Sequence, residues 1–189
     1  MRNKLENYLA YFEKERSSSE IYILVFYLFT ITLVFLVLFN VFWLMVFPEA
    51  LLVHKYYLSG DEIFGNLKNN VIPSAGVFLY AALFEECLYR LPIFLLYKFN
   101  VKKSNKIYLI ILLSFIFSFA HFDGLDLYNF LNVLPYTFLE GLVFSLIYIV
   151  SGGKKQKIIY PLIIVTLIHF LLNVLVVSIQ GVPADMLVN

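Results

Sequence analysis

The chain has 189 residues, of which 61% are hydrophobic and 14% are charged, and its formal net charge is +1. A soluble globular domain is roughly half apolar and about a quarter charged, so this composition excludes a soluble enzyme and a disordered chain. The small net charge also excludes a nucleic-acid partner, because it provides no extended basic surface for phosphates. The composition therefore predicts a membrane protein whose few charges lie mostly in loops and tails.

Residues 1–20 have the pattern of an amphipathic segment at the membrane surface. Leu5, Leu9 and Phe12 recur at helical spacing among charged residues, which predicts a short helix with one apolar face. Such a helix is suited to the headgroup layer of a lipid bilayer. We expect it to end near Ser17 and to act as an anchor.

Five apolar runs follow and are predicted as transmembrane helices, since about 20 helical residues cross a hydrocarbon core of roughly 30 Å. The predicted spans are 21–47, 71–99, 107–122, 128–150 and 158–179. The predicted fold class is therefore all-α: a polytopic membrane helix bundle of about five transmembrane helices plus the short N-terminal amphipathic helix. Residues 21–189 are expected to form one transmembrane domain.

The connections between the runs predict the topology in the cell membrane. Residues 48–70 are predicted as a loop with one interfacial helical turn starting near Ser59, because turn-forming residues interrupt the apolar pattern. Lys and Arg are concentrated in the N-terminal segment and in the loops at 98–106 and 151–157. The positive-inside rule therefore predicts a cytoplasmic N-terminus and an external C-terminus. Pro92 predicts a kink in the second span.

Apart from Lys98 at the end of the second span, few acidic, basic or histidine side chains lie within the predicted spans. They are Glu85, Glu86, Arg90, His121, Glu140 and His169. Each costs about 2.5–3.5 kcal/mol at a helix centre, so their accumulation indicates a function. Glu85, His121 and His169 each lie roughly 16–21 Å along their helices from the predicted inner end. Three helices are thus predicted to bring polar groups to one depth, as a buried site requires.

Spacing separates the two adjacent glutamates. Glu86 and Arg90 are four residues apart, so they share a helix face and can form an ion pair. Glu85 points about 100° away from Glu86, which predicts a carboxylate left free for acid–base chemistry. The alternative is that both glutamates pack in a single network with Arg90.

The other polar groups in the spans are assigned in the same way. His169 and Asn173 are four residues apart and project together, and a second histidine at matching depth favours a site over structural histidines. Glu140 precedes Gly141 in the fourth run. It either joins the polar cluster or hydrogen-bonds a neighbouring helix that Gly141 allows to approach closely.

Three short motifs occur in succession on three predicted helices: EExxxR at 85–90, FxxxH at 117–121 and HxxxN at 169–173. In this order they resemble the signatures of the CPBP intramembrane protease family. That family contains the CAAX prenyl endopeptidases and bacterial relatives linked to bacteriocin self-immunity. The resemblance covers about residues 71–180. It implies hydrolysis of a peptide bond, within or next to the bilayer, in a peptide or membrane-protein substrate.

The resemblance also implies roles for the motif residues. Glu85 with His121 would hold and deprotonate a water molecule. His169 and Asn173 would stabilise the oxyanion of the tetrahedral intermediate. The pair of Glu86 with Arg90 would fix the shape of the site.

A zinc enzyme is the close alternative, because Glu85, His121 and His169 could bind Zn²⁺ and the family has often been described as a metalloprotease. However, Asn173 occupies the position where a zinc-binding helix would place its second ligand, and amides are poor zinc ligands. We therefore favour a mechanism without a cofactor.

Two other functions compete with an endopeptidase. A chain of this fold could act in bacteriocin self-immunity or as a membrane scaffold without catalysis. A proton-coupled or ion transporter also uses intramembrane Glu and His residues. The sequence lacks the inverted repeats and Gly-broken helix pairs typical of such transporters.

Overall fold

The computed structural model describes residues 2–46, 65, 67–122, 129–155 and 157–180. Within these ranges all regular structure is helical, which confirms the all-α fold class. The described residues form six α-helices: α1 (Arg2–Glu13), α2 (Ser18–Val46), α3 (Ile72–Lys98), α4 (Lys103–Phe119), α5 (Leu134–Val150) and α6 (Ile159–Gln180). The interfacial turn predicted near Ser59 lies outside the described residues.

Two π-helical turns lengthen helices of the bundle. Leu67–Val71 leads directly into α3, and Asn129–Val133 leads directly into α5. Each turn ends two residues before a proline, Pro73 or Pro135, which cannot donate the backbone hydrogen bond that a regular α-helix would continue. The prediction of a loop up to residue 70 is therefore wrong for residues 67–70, because the wider helical turn accommodates them. Helix α3 runs through Pro92 without a break.

Length and composition alone identify two helices able to cross a membrane. They are the segments Ser18–Phe39 of α2 and Ile159–Ser178 of α6. Helices α4 and α5 have 17 residues each, which is about 25 Å at the helical rise. Helix α3 is longer but carries three ionisable side chains near its middle. A helix occupies each predicted apolar run, and the count of five spans stays a prediction.

Helix α5 lies at the centre of the bundle and contacts each of the other five α-helices. Its side chains Phe144 and Ile147 have no exposed surface. A Cβ atom at Gly141 would lie only 3.1 Å from the Cα of Ser114, so α4 and α5 pack with their backbones close together. In a membrane, where apolar surface gains nothing by leaving the lipid, such close van der Waals packing holds helices together.

Helix α1 packs against the bundle, chiefly on α4 and α5. Leu9 is buried in the same apolar cluster as the core of α5. At the end of α1, the Tyr97 hydroxyl donates to the Glu13 carboxylate at 2.8 Å. The predicted amphipathic helix therefore ends at Glu13, before Ser17, and its apolar face covers protein. Its role as a membrane anchor stays a prediction.

Ser17 instead begins the next helix. Its backbone N–H donates to Glu20 Oε2 at 2.8 Å, and its Oγ accepts from the backbone N–H of Glu20 at 3.4 Å. This reciprocal pair is a capping box, which satisfies two donors at the start of α2 and contributes about 1 kcal/mol.

Candidate active site

The motif residues come from three helices that the fold brings together. Glu85 and Glu86 lie near the middle of α3, and His169 and Asn173 lie on α6, which packs extensively along α3. His121 lies two residues beyond the end of α4, in the turn that follows the helix. The histidine of the FxxxH motif therefore lies just beyond a helix end, whereas the residues of the other two motifs lie within helices.

Glu86 and Arg90 form a fully buried ion pair within α3, with exposed fractions of 0% and 1%. The Nε of Arg90 donates to Glu86 Oε2, and its Nη2 donates to Oε1 at 3.4 Å. The Nη1 of Arg90 also donates to Ser145 Oγ at 2.8 Å and to the carbonyl of Gly141 at 3.4 Å. The guanidinium therefore joins α3 to α5, and every one of its nitrogen atoms has an acceptor. A buried charge is tolerated only when it is satisfied in this way.

His169 is held by the same carboxylate. Its Nδ1 lies 2.9 Å from Glu86 Oε1. Because a carboxylate paired with arginine only accepts hydrogen bonds, Nδ1 must carry the hydrogen and donate it. This contact fixes the ring so that Nε2 points at Glu85, with Nε2 3.7 Å from Glu85 Oε2. Glu85 thus lies beside the network of Glu86 without belonging to it.

His121 approaches Glu85 in a similar orientation. Its Nδ1 is 2.8 Å from the carbonyl oxygen of Phe117, to which it donates, and its Nε2 is 3.7 Å from Glu85 Oε2. A separation of 3.7 Å is too long for a direct hydrogen bond. Glu85 Oε2 is itself a buried atom that has no hydrogen-bond partner within the described part of the chain. Two imidazoles therefore aim Nε2 at one carboxylate oxygen without a hydrogen-bond partner among the described residues, each across a gap of 3.7 Å.

The site is closed on one side and open on the other. The His169 side chain is 4% exposed, whereas those of Glu85 and His121 are 30% and 33% exposed. The exposed side of the site is therefore formed by Glu85 and His121, although Glu85 Oε2 itself is buried.

The buried ring of Phe117 packs against both histidines. Its ring centroid lies 4.6 Å from that of His121 and 6.1 Å from that of His169, and Tyr89 packs edge-on against it at 5.0 Å. Phe144 of α5 covers the other face of the site, 4.9 Å from the ring of His169. The phenylalanine of the FxxxH motif thus positions both rings by packing.

Comparison with known families matches residues 67–175, more than half of the chain, to the family described as type II CAAX prenyl endopeptidase, Rce1-like. The chain belongs to this family. The matched region contains the π-turn before α3, all of α3, α4 and α5, and the site residues of α6. No curated protein matches the chain, and no solved structure matches it either.

Membership of the Rce1-like family makes this a membrane-embedded, CAAX-protease-like chain, in agreement with its two helices long and apolar enough to span a bilayer. All the site residues described above fall within the family match. The ionisable groups in the middle of α3 are thus part of the family's shared region.

Glu140 is a further carboxylate close to this family site. It is buried, its carboxylate is hydrogen-bonded to Tyr136, and it interacts electrostatically with His169, Glu85 and Glu86. The choice between the two alternatives for Glu140 stays a prediction. The contact with Tyr136 lies within α5, and its four-residue spacing is visible in the sequence.

One further sequence feature could have indicated more of the site. Tyr89 follows Glu85 by four residues and so shares its helix face, although sequence reasoning assigned it no role. No sequence signal marks Phe144, which reaches His169 through the packing of α5. Asn173 lies one turn beyond His169 and is partly buried, and the contacts described above do not include it.

The donor set of the site includes side chains of the kinds that bind a metal ion. Glu85, His121 and His169 are of the right types for zinc, and each histidine donates its Nδ1–H elsewhere, as zinc ligands do. Within the described residues, however, no group of three or more His, Cys, Asp or Glu side chains is arranged to hold a metal ion.

Proposed function

We propose that this chain is an intramembrane endopeptidase that hydrolyses a peptide bond in a membrane-associated peptide or protein, using water activated by Glu85. The observation that carries the proposal is the position of Glu85 Oε2, which is unsatisfied and lies 3.7 Å from Nε2 of both His121 and His169. The protease family of the chain supports this reaction class.

Glu85 and His121 are the groups that hold the water. Both Glu85 Oε2 and the neutral Nε2 of His121 are acceptors, so one water can donate a hydrogen bond to each of them. Its lone pair then points away from both acceptors, toward an incoming carbonyl carbon. As the new C–O bond forms, the water gives a proton to Glu85, and the carbonyl oxygen takes up the negative charge.

His169 and Asn173 would stabilise that oxyanion. Because His169 already donates from Nδ1 to Glu86, it can donate to an oxyanion only if Nε2 also carries a hydrogen. The imidazolium that results is balanced by the oxyanion itself, while its Nδ1–H still donates to the Glu86 carboxylate, which is paired with Arg90. The Asn173 amide supplies a second donor in this proposal. Glu85 finally passes its proton to the leaving amine as the C–N bond breaks.

The proposal includes the setting of the site in the membrane. Five spans with a cytoplasmic N-terminus agree with the distribution of Lys and Arg among the connections. The family description suggests a prenylated CAAX-type peptide as the first substrate to test. Such a substrate carries a lipid, so it would approach a bilayer-embedded site from the membrane.

The test compares purified wild-type protein with Glu85→Gln in lipid nanodiscs. The substrates are a farnesylated CAAX-type peptide and the same peptide without the lipid, with products identified by mass spectrometry. Glu85→Gln keeps the size of the side chain but removes the base, so cleavage should fall by about 10²–10⁴-fold. Glu6→Gln on α1 is the matched control and should cleave at the wild-type rate. Equal cleavage by wild type and Glu85→Gln would show that the mechanism is wrong.

A further inference from the structure

A cavity lies away from the site, where the segment after α1 meets the start of α2, the end of α5 and the start of α6. Its volume is about 370 Å³. Its lining includes four basic residues and no acidic residue among the described part of the chain. The basic residues are Lys14, Arg16, Lys155 and Lys157.

Two of these cations are already engaged. Arg16 donates to the backbone carbonyls of Tyr11 and Phe12 at the end of α1. Lys155 pairs with Glu15 at 3.0 Å. Lys14 and Lys157 also line the cavity. Among the described residues Lys14 attracts the Glu20 carboxylate, but neither lysine lies within ion-pair distance of an acidic group. The cavity therefore offers two ammonium groups to an anion.

Ser151 provides an independent sign of a ligand. This residue caps the C-terminus of α5, lines the cavity and is only 3% exposed. Its Oγ is a buried atom that has no hydrogen-bond partner in the described part of the chain. Leaving a buried hydroxyl unpaired is costly, so such groups commonly face a partner that the protein chain does not supply.

The position of the cavity indicates which anion would bind. It lies where α2 and α6 begin, and these are the two helices with membrane-spanning length and composition. Tyr22 and Tyr160 join the two helices there through their hydroxyl groups, 3.0 Å apart. Tyrosines are enriched at the depth of lipid headgroups, and basic pockets between membrane helices at this depth suit anionic headgroups.

We propose that this cavity binds the phosphate of an anionic phospholipid such as phosphatidylglycerol. Lys14 and Lys157 contact the phosphate oxygens, and the Ser151 hydroxyl donates to one of them. The lipid lies between the starts of α2 and α6 and ties the segment after α1 to the bundle. This inference is independent of the proposed peptidase reaction, because none of its residues belongs to that site.

The test titrates the purified full-length protein in detergent with phosphatidylglycerol, phosphatidylcholine or soluble glycerol 3-phosphate, and counts bound lipid by native mass spectrometry. Lys14→Gln with Lys157→Gln should weaken phosphatidylglycerol binding by about 25-fold, from roughly 5-fold for each lysine near a lipid surface. Lys98→Gln with Lys102→Gln removes the same charge outside the cavity and should change binding by less than about 2-fold. Ser151→Ala should weaken binding by about 2- to 10-fold without loss of charge.

Three results would overturn the proposal. Equal binding of phosphatidylcholine would show that the anionic headgroup is not recognised. An equal loss in the control pair would show general attraction by surface charge. Displacement of the lipid by glycerol 3-phosphate at matching concentration would show a site for a soluble phosphate ester. Thermal unfolding of each variant, measured in parallel, separates loss of binding from loss of fold.

Discussion

Nδ1 of His169 lies 2.9 Å from Oε1 of Glu86, and this contact joins α6 to α3 at the centre of the site. The same carboxylate pairs with Arg90, which in turn is anchored to α5. One buried glutamate therefore neutralises a cation, orients an imidazole and connects three helices. Its neighbour Glu85 takes part in none of these contacts, so adjacent residues of one motif have separate structural and chemical tasks.

This separation predicts that the same substitution, Glu to Gln, lowers stability at Glu86 and leaves stability almost unchanged at Glu85. Glu86→Gln leaves Arg90 as a buried charge without a counterion, which should lower the free energy of unfolding by about 3–5 kcal/mol. Glu85 Oε2 has no hydrogen-bond partner among the described residues, so Glu85→Gln should change stability by less than about 0.5 kcal/mol while cleavage falls. Thermal unfolding in detergent, followed by intrinsic fluorescence, measures both. Equal destabilisation by the two variants would instead place both glutamates in one structural network.

A third substitution tests how the water is held. His121 is about one third exposed, and its ring packs beside Phe117. His121→Gln should therefore leave the unfolding temperature near that of wild type while cleavage falls by about 10²–10⁴-fold. The measurement is kcat with a saturating peptide, because loss of a proton acceptor lowers kcat more than it raises KM. A wild-type kcat in this variant would show that Glu85 holds and activates the water without His121.

Part of the site could be predicted from the sequence because it depends on local geometry. The contact of Arg90 with Glu86 follows from four-residue spacing on one helix, and so does the freedom of Glu85. The convergence of three helices at one depth follows from the cost of ionisable groups in lipid, which leaves them few places to lie.

The remaining contacts depend on packing that one helix does not specify. The bond between His169 and Glu86 joins residues 83 positions apart in sequence. It depends on the rotation of α6 against α3, which periodicity leaves undetermined. The π-turn at Leu67–Val71 was also missed, since Asn69 and Asn70 are typical of loops.

Removal of metal ions distinguishes the two mechanisms that the sequence left open. If Glu85 and His121 activate water directly, peptide cleavage should continue at the wild-type rate after dialysis against 1,10-phenanthroline and EDTA. Metal analysis of the same sample should find less than one zinc per chain. A rate that falls on dialysis and returns with added zinc would favour Glu85, His121 and His169 as metal ligands. Added copper or nickel that only inhibits the enzyme would not restore the cleavage rate and so would not support the metal mechanism.

Gly141 links the packing of the bundle to the chemistry of the site. A Cβ atom there would lie 3.1 Å from the Cα of Ser114 and 3.2 Å from Cδ1 of Phe117. Gly141→Ala should therefore push α4 away from α5 and cost about 1–3 kcal/mol of stability, as overpacking does. It should also lower kcat, because Phe117 packs against the ring of His121.

Gly76→Ala is the matched control for this last prediction. Gly76 lies within α3, and a Cβ atom there meets no heavy atom of the described chain within 4 Å. Because alanine favours the helix by up to about 1 kcal/mol over glycine, Gly76→Ala should be neutral or stabilising and keep full activity. The measurements are the unfolding temperature and kcat of wild type, Gly141→Ala and Gly76→Ala, made side by side. If Gly141→Ala behaves like Gly76→Ala, then α4 can move away without cost, and Phe117 does not transmit the packing of α5 to the histidine.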